Sequence, residues 1–162
     1  MNWGVLVLRI SKMADYGILV LNKMVDAGAT KLSAEDLAQT TKLTVPTIRK
    51  VMKALSDGGL VFAQRGAKGG YRLARAAGQI RIIDVVQAFE GPISLTECTS
   101  EDGQCDIIDS CSLSHNWNGI NQLLVQVLSC ITLQDLRQPH RQEQLIQSTL
   151  QMNSYIELIS VG

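Results

Sequence analysis

The stretch SAEDLAQTTKLTVPTIRKVMKALSDGG (residues 33–59), followed directly by LVFAQRGAKGGYRLA (residues 60–74), decides the fold. Ser33 with Asp36 three residues on has the form of a capping box, so a short helix starts there ahead of Leu37. Thr41, Lys42 and Leu43 make a turn. Thr44 then caps a further helix with Pro46 in its first turn, where a missing N–H costs nothing. In that helix Ile48, Val51, Met52 and Leu55 share one face, and Gly58-Gly59 stops it. The runs Leu60–Arg65 and Tyr71–Ala74 are joined by Gly66-Ala-Lys-Gly-Gly70, which predicts a β-hairpin with a narrow tip. Two short helices, a tight turn and a hairpin make a winged helix-turn-helix. The fold class is mainly α with a small β-hairpin.

The flanks extend this unit. Ser11 caps a helix running to about Ala27, with Ala14, Ile18, Leu21 and Val25 at helical spacing and Gly28 ending it. Beyond the hairpin, Ile80 to Phe89 reads as a helix stopped by Gly91-Pro92. Residues 94–115 carry three cysteines and many acids and read as irregular. Trp117 to about Leu133 is the longest helix, with Trp117, Ile120, Leu124, Val127 and Ile131 in three- and four-residue steps; it is the expected dimerisation helix. The expected organisation is a winged helix-turn-helix at 8–90, a cysteine loop at 94–115, a dimerisation region at 116–136 and a polar tail at 137–162 with a possible short helix. No internal repeat interrupts it.

Net charge is zero over 162 residues, but the average hides an asymmetry. Residues 1–81 hold 13 Lys/Arg against five Asp/Glu, whereas residues 82–162 hold two against ten. A half at +8 beside a half at −8 points to a polyanionic partner for the first. Within it, the face of the third helix opposite Ile48 and Leu55 carries Thr47, Arg49, Lys50 and Lys53. Such side chains reach phosphates and guanine edges in a major groove. Arg65 and Lys68 sit on the hairpin, whose slim tip suits a minor groove. Double-stranded DNA is therefore the expected partner. One such domain offers little basic surface, so a homodimer on a palindromic site is expected.

Other classes are disfavoured. No apolar run reaches the roughly 18–20 residues a membrane helix needs, and the opening MNWGVLVLRIS is a poor signal peptide, so a cytoplasmic protein without membrane contact is expected. No nucleophile–base constellation accompanies the two histidines, His115 and His140. The glycine turn joins strands and lacks the helix start of a phosphate loop. The chain does not read as an enzyme.

Cys98, Cys105 and Cys111 lie within 14 residues, spaced C-x6-C-x5-C. Three thiols in a cytosolic protein do not suggest structural disulfides. Thiolates select zinc or iron–sulfur clusters. Zinc knuckles use closer pairs, which favours a loop around a larger cluster, while a thiol redox switch or a zinc site remains the alternative. Cys130, among Leu124, Val127 and Ile131, reads as a packed apolar residue.

Several stretches resemble the IscR/NsrR-type winged-helix iron–sulfur transcription regulators: Leu8–Ser11 with Asp15-Tyr-Gly17, Leu32–Ala38, and Gly58–Val61 followed by Arg65–Ala74. The likeness covers roughly residues 8–136 and is nearest to members that regulate the SUF cluster-assembly operon. It implies a cluster, 2Fe-2S or 4Fe-4S, on Cys98, Cys105 and Cys111 in a repressor of cluster-assembly or stress genes. The first cysteine gap is one residue longer than the family's usual, and Gly103 is expected to absorb it. The resemblance also supplies two candidates for a fourth ligand. Asp15 matches an aspartate that reaches the cluster across the dimer. His115 follows Cys111 with three residues between them, where the IscR-type histidine follows with two; Asp15 is preferred. Cluster loss or modification is expected to order or melt residues 94–115 and so shift DNA affinity. Val7 occupies the position of the family's initiator methionine, so a GUG start is expected there.

Overall fold

A computed structural model describes residues 10–66, 69–100, 105–108, 111–138 and 144, with the side chain of His115 outside that description. Val7, Lys68, Gly103 and nearly all of the tail also lie outside it. Helices α1 (Lys12–Ala27), α2 (Ala34–Thr41) and α3 (Val45–Asp57) precede an antiparallel hairpin of β1 (Val61–Gln64) and β2 (Gly70–Leu73). After a 3-10 turn at Ala77–Gln79 come α4 (Ile82–Glu90), a 3-10 turn at Glu97–Thr99, α5 (Ser114–Cys130) and α6 (Leu133–Leu136). Among the described residues no helix is long and apolar enough to cross a membrane.

Local chemistry fixes the helix ends. Ser11 Oγ accepts from the Ala14 amide, and Gly28, at φ 63°, ends α1. The Ser33/Asp36 capping box is formed in both directions, Asp36 N donating to Ser33 Oγ at 3.0 Å and Ser33 N to Asp36 Oδ2 at 2.9 Å. The Ser33 hydroxyl and amide hold the Asp36 carboxyl below the usual carboxylate range. Lys42 takes the left-handed conformation that closes α2 at φ 62°, and Thr44 caps α3. Ser11, Ser33 and Thr44 each satisfy amides that a helix start leaves orphaned.

The core forms where α1, α2, α3 and α4 meet. Ile48, Val51, Met52 and Leu55 of α3 are fully buried with Val20, Leu21, Leu37 and Leu60. On α1 the buried set is Ala14, Gly17, Val20, Leu21 and Met24. The expected Ile18 and Val25 only flank it, because α1 turns toward α4. Hairpin register pairs Val61 with Leu73 and Gln64 with Gly70.

Two helix boundaries differ from the sequence expectation for one shared reason. Residues 80–81 and 131–132 run extended beside each other, joined by Ile82 N to Ile131 O and Leu133 N to Ile80 O, each 2.8 Å. Arg81 and Thr132 form an isolated antiparallel bridge. Pairing of this kind excludes helix at Ile80, so α4 starts at Ile82. It also stops α5 at Cys130 and takes Ile131 out of the expected stripe. Thr132 and Asp135 then make a new capping box that starts α6 and places Leu133 in the main core with no exposure. Arg137 of the following turn donates to Asn22 O at 3.1 Å and pairs with Asp26, both on α1. Residues 131–137 thus return to the winged domain.

Two glycines permit close helix approach. A Cβ at Gly58 would lie 2.8 Å from Ala88 Cβ, and one at Gly17 would lie 2.4 Å from Phe89 Cε2. The Phe89 atoms met are the far end of a rotatable side chain, whereas the Ala88 methyl is fixed to the backbone of α4. Gly58→Ala is expected to cost about 1–3 kcal/mol through overpacking, and Gly17→Ala less. Urea unfolding of both variants checks the order; equal stabilities would contradict it.

Candidate nucleic-acid interface and cysteine segment

With its apolar face buried, α3 turns Arg49, Lys50 and Lys53 outward, while Thr47 is half-buried. These groups are more engaged than the sequence suggests. The Thr47 hydroxyl lies 2.8 Å from that of Thr44. Arg49 Nη2 donates to Glu35 Oε1 at 3.2 Å, and Lys53 Nζ reaches Asp57 Oδ2 at 2.6 Å. Lys50 has no ion-pair partner among the described residues. An open groove of about 570 Å³ separates α3 from the hairpin and gathers Glu35, Arg49, Lys53, Gln64 and Arg65 on its walls. Lys68 lies outside the described residues. Of the expected DNA-facing set, Arg49, Lys53 and Arg65 are therefore brought to one groove, with Lys50 exposed on the same helix. Sequence reasoning missed Glu35. Its pairing with Arg49 spans fourteen positions and two helices, so no local spacing announces it.

The hairpin is aimed by a contact the sequence also hid. Leu32 and Tyr71 exchange both backbone bonds, Leu32 N to Tyr71 O at 3.0 Å and Tyr71 N to Leu32 O at 2.8 Å. A third, one-residue strand thereby ties the wing to the turn before α2. Lys31 Nζ reinforces it by donating to Gln64 Oε1 at 2.6 Å. The paired glycines of the wing follow from this geometry. A Cβ on Gly69 would lie 2.4 Å from Gln64 O, and Gly70, at φ 144°, approaches Leu32 O within 3.0 Å of its would-be Cβ. Arg72 lies over the exposed Phe62 ring, 4.6 Å from its centroid, a cation–π contact on the β1–β2 pair.

The cysteine segment leaves α4 at Gly91, at φ 77°. Asn121 of α5 clamps its start: Asn121 Nδ2 donates to Ile93 O at 3.1 Å and Oδ1 accepts from Leu95 N at 3.0 Å. The 3-10 turn at Glu97–Thr99 then packs on α5. Within that turn Cys98 Sγ lies 3.1 Å from Thr96 Oγ1. Cys98, Cys105 and Cys111 are half-buried free thiols. Ser114 Oγ donates to Cys111 O at 3.1 Å where α5 begins. Among the described residues, no group of three or more His, Cys, Asp or Glu is gathered as it would be around a metal ion. Asp15 is exposed in the first turn of α1. That turn lies beside the end of α4, since Ser11 N donates to Glu90 Oε1 at 3.3 Å. His115 falls in the first turn of α5, its side chain outside the described residues.

Cys130 corrects the sequence reading: it is exposed at the last residue of α5, not packed. Helix α5 packs on α4 and on the Glu97–Thr99 turn, and among the described residues its stripe, with Leu123 beside it, is not fully covered. Trp117 stays 38% exposed, Ile120 49% and Leu123 43%.

Comparison with known proteins gives one consistent result. The family model described as Rrf2, iron-dependent transcriptional regulator, matches residues 10–139. Protein aau3 of Rhizobium meliloti is 29% identical over 131 residues, 80% of this chain and 84% of that protein. CymR, the global cysteine regulator of B. subtilis, superposes with a TM-score of 0.63 at 28% identity, over 80% of this chain and 96% of its own. T. potens IscR superposes with a TM-score of 0.62 at 25% identity, over 87% and 94%.

The wing anchor yields a direct expectation. Gly70→Ala places a side chain at positive φ against Leu32 O, at a strain of about 1–3 kcal/mol. Amide exchange at Leu32 and Tyr71 should accelerate about tenfold or more. Gly78→Ala, where an added Cβ meets nothing within 4 Å, should leave it unchanged. Equal protection in the two variants would remove the anchor from the account.

Proposed function

The chain belongs to the Rrf2 family of transcriptional regulators, and on that premise we propose that it is a homodimeric repressor that binds palindromic DNA and senses through an iron–sulfur cluster. The family regulates transcription and is not enzymatic. Support for the DNA half is the outward cationic face of α3, the groove beside it and the tethered wing. Support for dimerisation is the uncovered Trp117, Ile120 and Leu123 stripe on α5.

One observation carries the sensing half. Three free thiols, none of them fully buried, hang on the one segment that leaves the winged domain at α4 and packs against α5. As a donor set they fit a cluster in chemistry, thiolate being the ligand such groups require, and leave it one ligand short. Cys98, Cys105 and Cys111 would hold it, with Asp15 as the preferred fourth ligand and His115 as the alternative. Because the donors are not gathered, holding the group draws the segment together, and affinity for it becomes ordering energy for residues 94–115. The bound group would supply a redox-labile and oxygen-sensitive centre. The chain's own part is mechanical: Asn121 and the 3-10 turn transmit the segment's arrangement to α5, which sets how two α3 helices face a duplex.

A second reading keeps the winged helix and treats the cysteines as a thiol redox switch or zinc site. It is favoured by the likeness to CymR, the global cysteine regulator of B. subtilis.

Anaerobic isolation separates these readings. The cluster reading expects brown protein with visible absorption and iron matched by acid-labile sulfide, weakened by Asp15→Ala more than by His115→Ala. Colourless protein that stays free of both after reconstitution would sink it and leave zinc or thiols to be read by metal analysis. Ile120→Asp, which puts a charge into the α5 stripe, should convert a dimer to monomer in sedimentation while leaving helix content intact. A variant that remains dimeric would place the interface elsewhere.

A further inference from the structure

We propose that Glu35 is a selectivity residue of the DNA interface, acting by holding Arg49. This rests on the DNA-binding reading above and adds a carboxylate to it. Glu35 lies in the first turn of α2, on a helix start fixed independently by Ser33 and Asp36. Its side chain crosses the helix-turn-helix to meet Arg49 of α3 through a single bond of 3.2 Å. Both side chains remain about two-thirds exposed, 66% for Arg49 and 61% for Glu35. Both line the groove between α3 and the wing.

Three consequences follow from the chemistry. First, one hydrogen bond occupies one of the five guanidinium N–H donors, so Arg49 keeps the paired donors that a guanine O6/N7 edge requires. Second, the carboxylate stands among Arg49, Lys53 and Arg65 on a surface meant for phosphate. Any contact made to backbone alone must either displace Glu35 from Arg49 or bring a phosphate toward a like charge. Third, a carboxylate is a good acceptor for the cytosine N4 amine, so a G·C pair in the groove satisfies both members of the pair at once. Glu35 therefore opposes sequence-independent binding and leaves matched sites nearly untouched. Asp57 neutralises Lys53 by an i,i+4 pair within α3, so Lys50 and Arg65 remain as the described cations of this interface without an acidic partner.

The test uses the full-length chain and two labelled duplexes. One is recovered from a random-sequence pool by the native protein, and the other is its shuffled counterpart. Glu35→Gln should tighten binding to the shuffled duplex about two- to fivefold, the range of an exposed ion pair. It should also steepen that duplex's salt dependence by about 0.9 in log–log slope, one added phosphate contact. Affinity for the selected duplex should change less than twofold, so the selectivity ratio falls. Asp26→Asn makes the same charge change on α1, away from the groove, and should leave the ratio as it is in the native chain. Equal tightening on both duplexes, an unchanged ratio or an equal effect from Asp26→Asn would overturn the proposal. If the native chain enriches no duplex from the pool, the DNA reading itself fails.

Discussion

Burial of Ile48, Val51, Met52 and Leu55 on one side of α3 is the contact on which the rest of the molecule depends. Each of these side chains is fully removed from water, a contribution of roughly 1.5–3 kcal/mol apiece for the larger ones. Because a helix has only one such face to bury, the opposite residues are committed to solvent, and they are Arg49, Lys50 and Lys53. The same packing sets where α3 ends, at the glycine that lets α4 approach. It also sets where the hairpin emerges, as the far wall of the groove that Arg49 and Arg65 share. An interface for a polyanion is a by-product of how this core closes.

The second constraint is how α5 is held. Its first half carries the cysteine segment, clamped by Asn121 and continued by the 3-10 turn at Glu97–Thr99. Its far end runs into the extended pair of 80–81 with 131–132, and Leu133 then enters the same core as α3. Helix α5 is therefore fixed to the winged domain at its exit and to the cysteine segment near its start. A rearrangement of residues 94–115 acts on the helix end that is not anchored in the core. This arrangement suits the lever proposed above, in which three thiols placed there would bear, through α5, on the groove built from α3 and the wing.

Much of this was legible in the sequence because local chemistry determined it. Ser11, Ser33 and Thr44 announce three helix starts, and the α3 stripe reads off at helical spacing. The wing reads from its glycines, although the reason for the Gly69-Gly70 pair, the approach to Gln64 and Leu32, was not visible. What escaped were the long-range pairings. Nothing near Ile80 signals that it meets Leu133, so the sequence pattern alone starts α4 early and ends α5 late. The Glu35–Arg49 pair escaped for the same reason. Cys130 was misread because an apolar neighbourhood along a helix does not say whether anything covers it. For the cysteine segment, spacing identified the donors but not their arrangement, since an irregular segment without a packed face carries no periodic signal.

The most direct test of the central claim is operator affinity of cluster-loaded protein against a Cys98/Cys105/Cys111 triple-serine variant, measured anaerobically at one salt concentration. The account predicts a difference of about 5- to 150-fold, the range of a coupling between two sites. Equal affinities, with the loaded protein confirmed by its iron and sulfide, would contradict it.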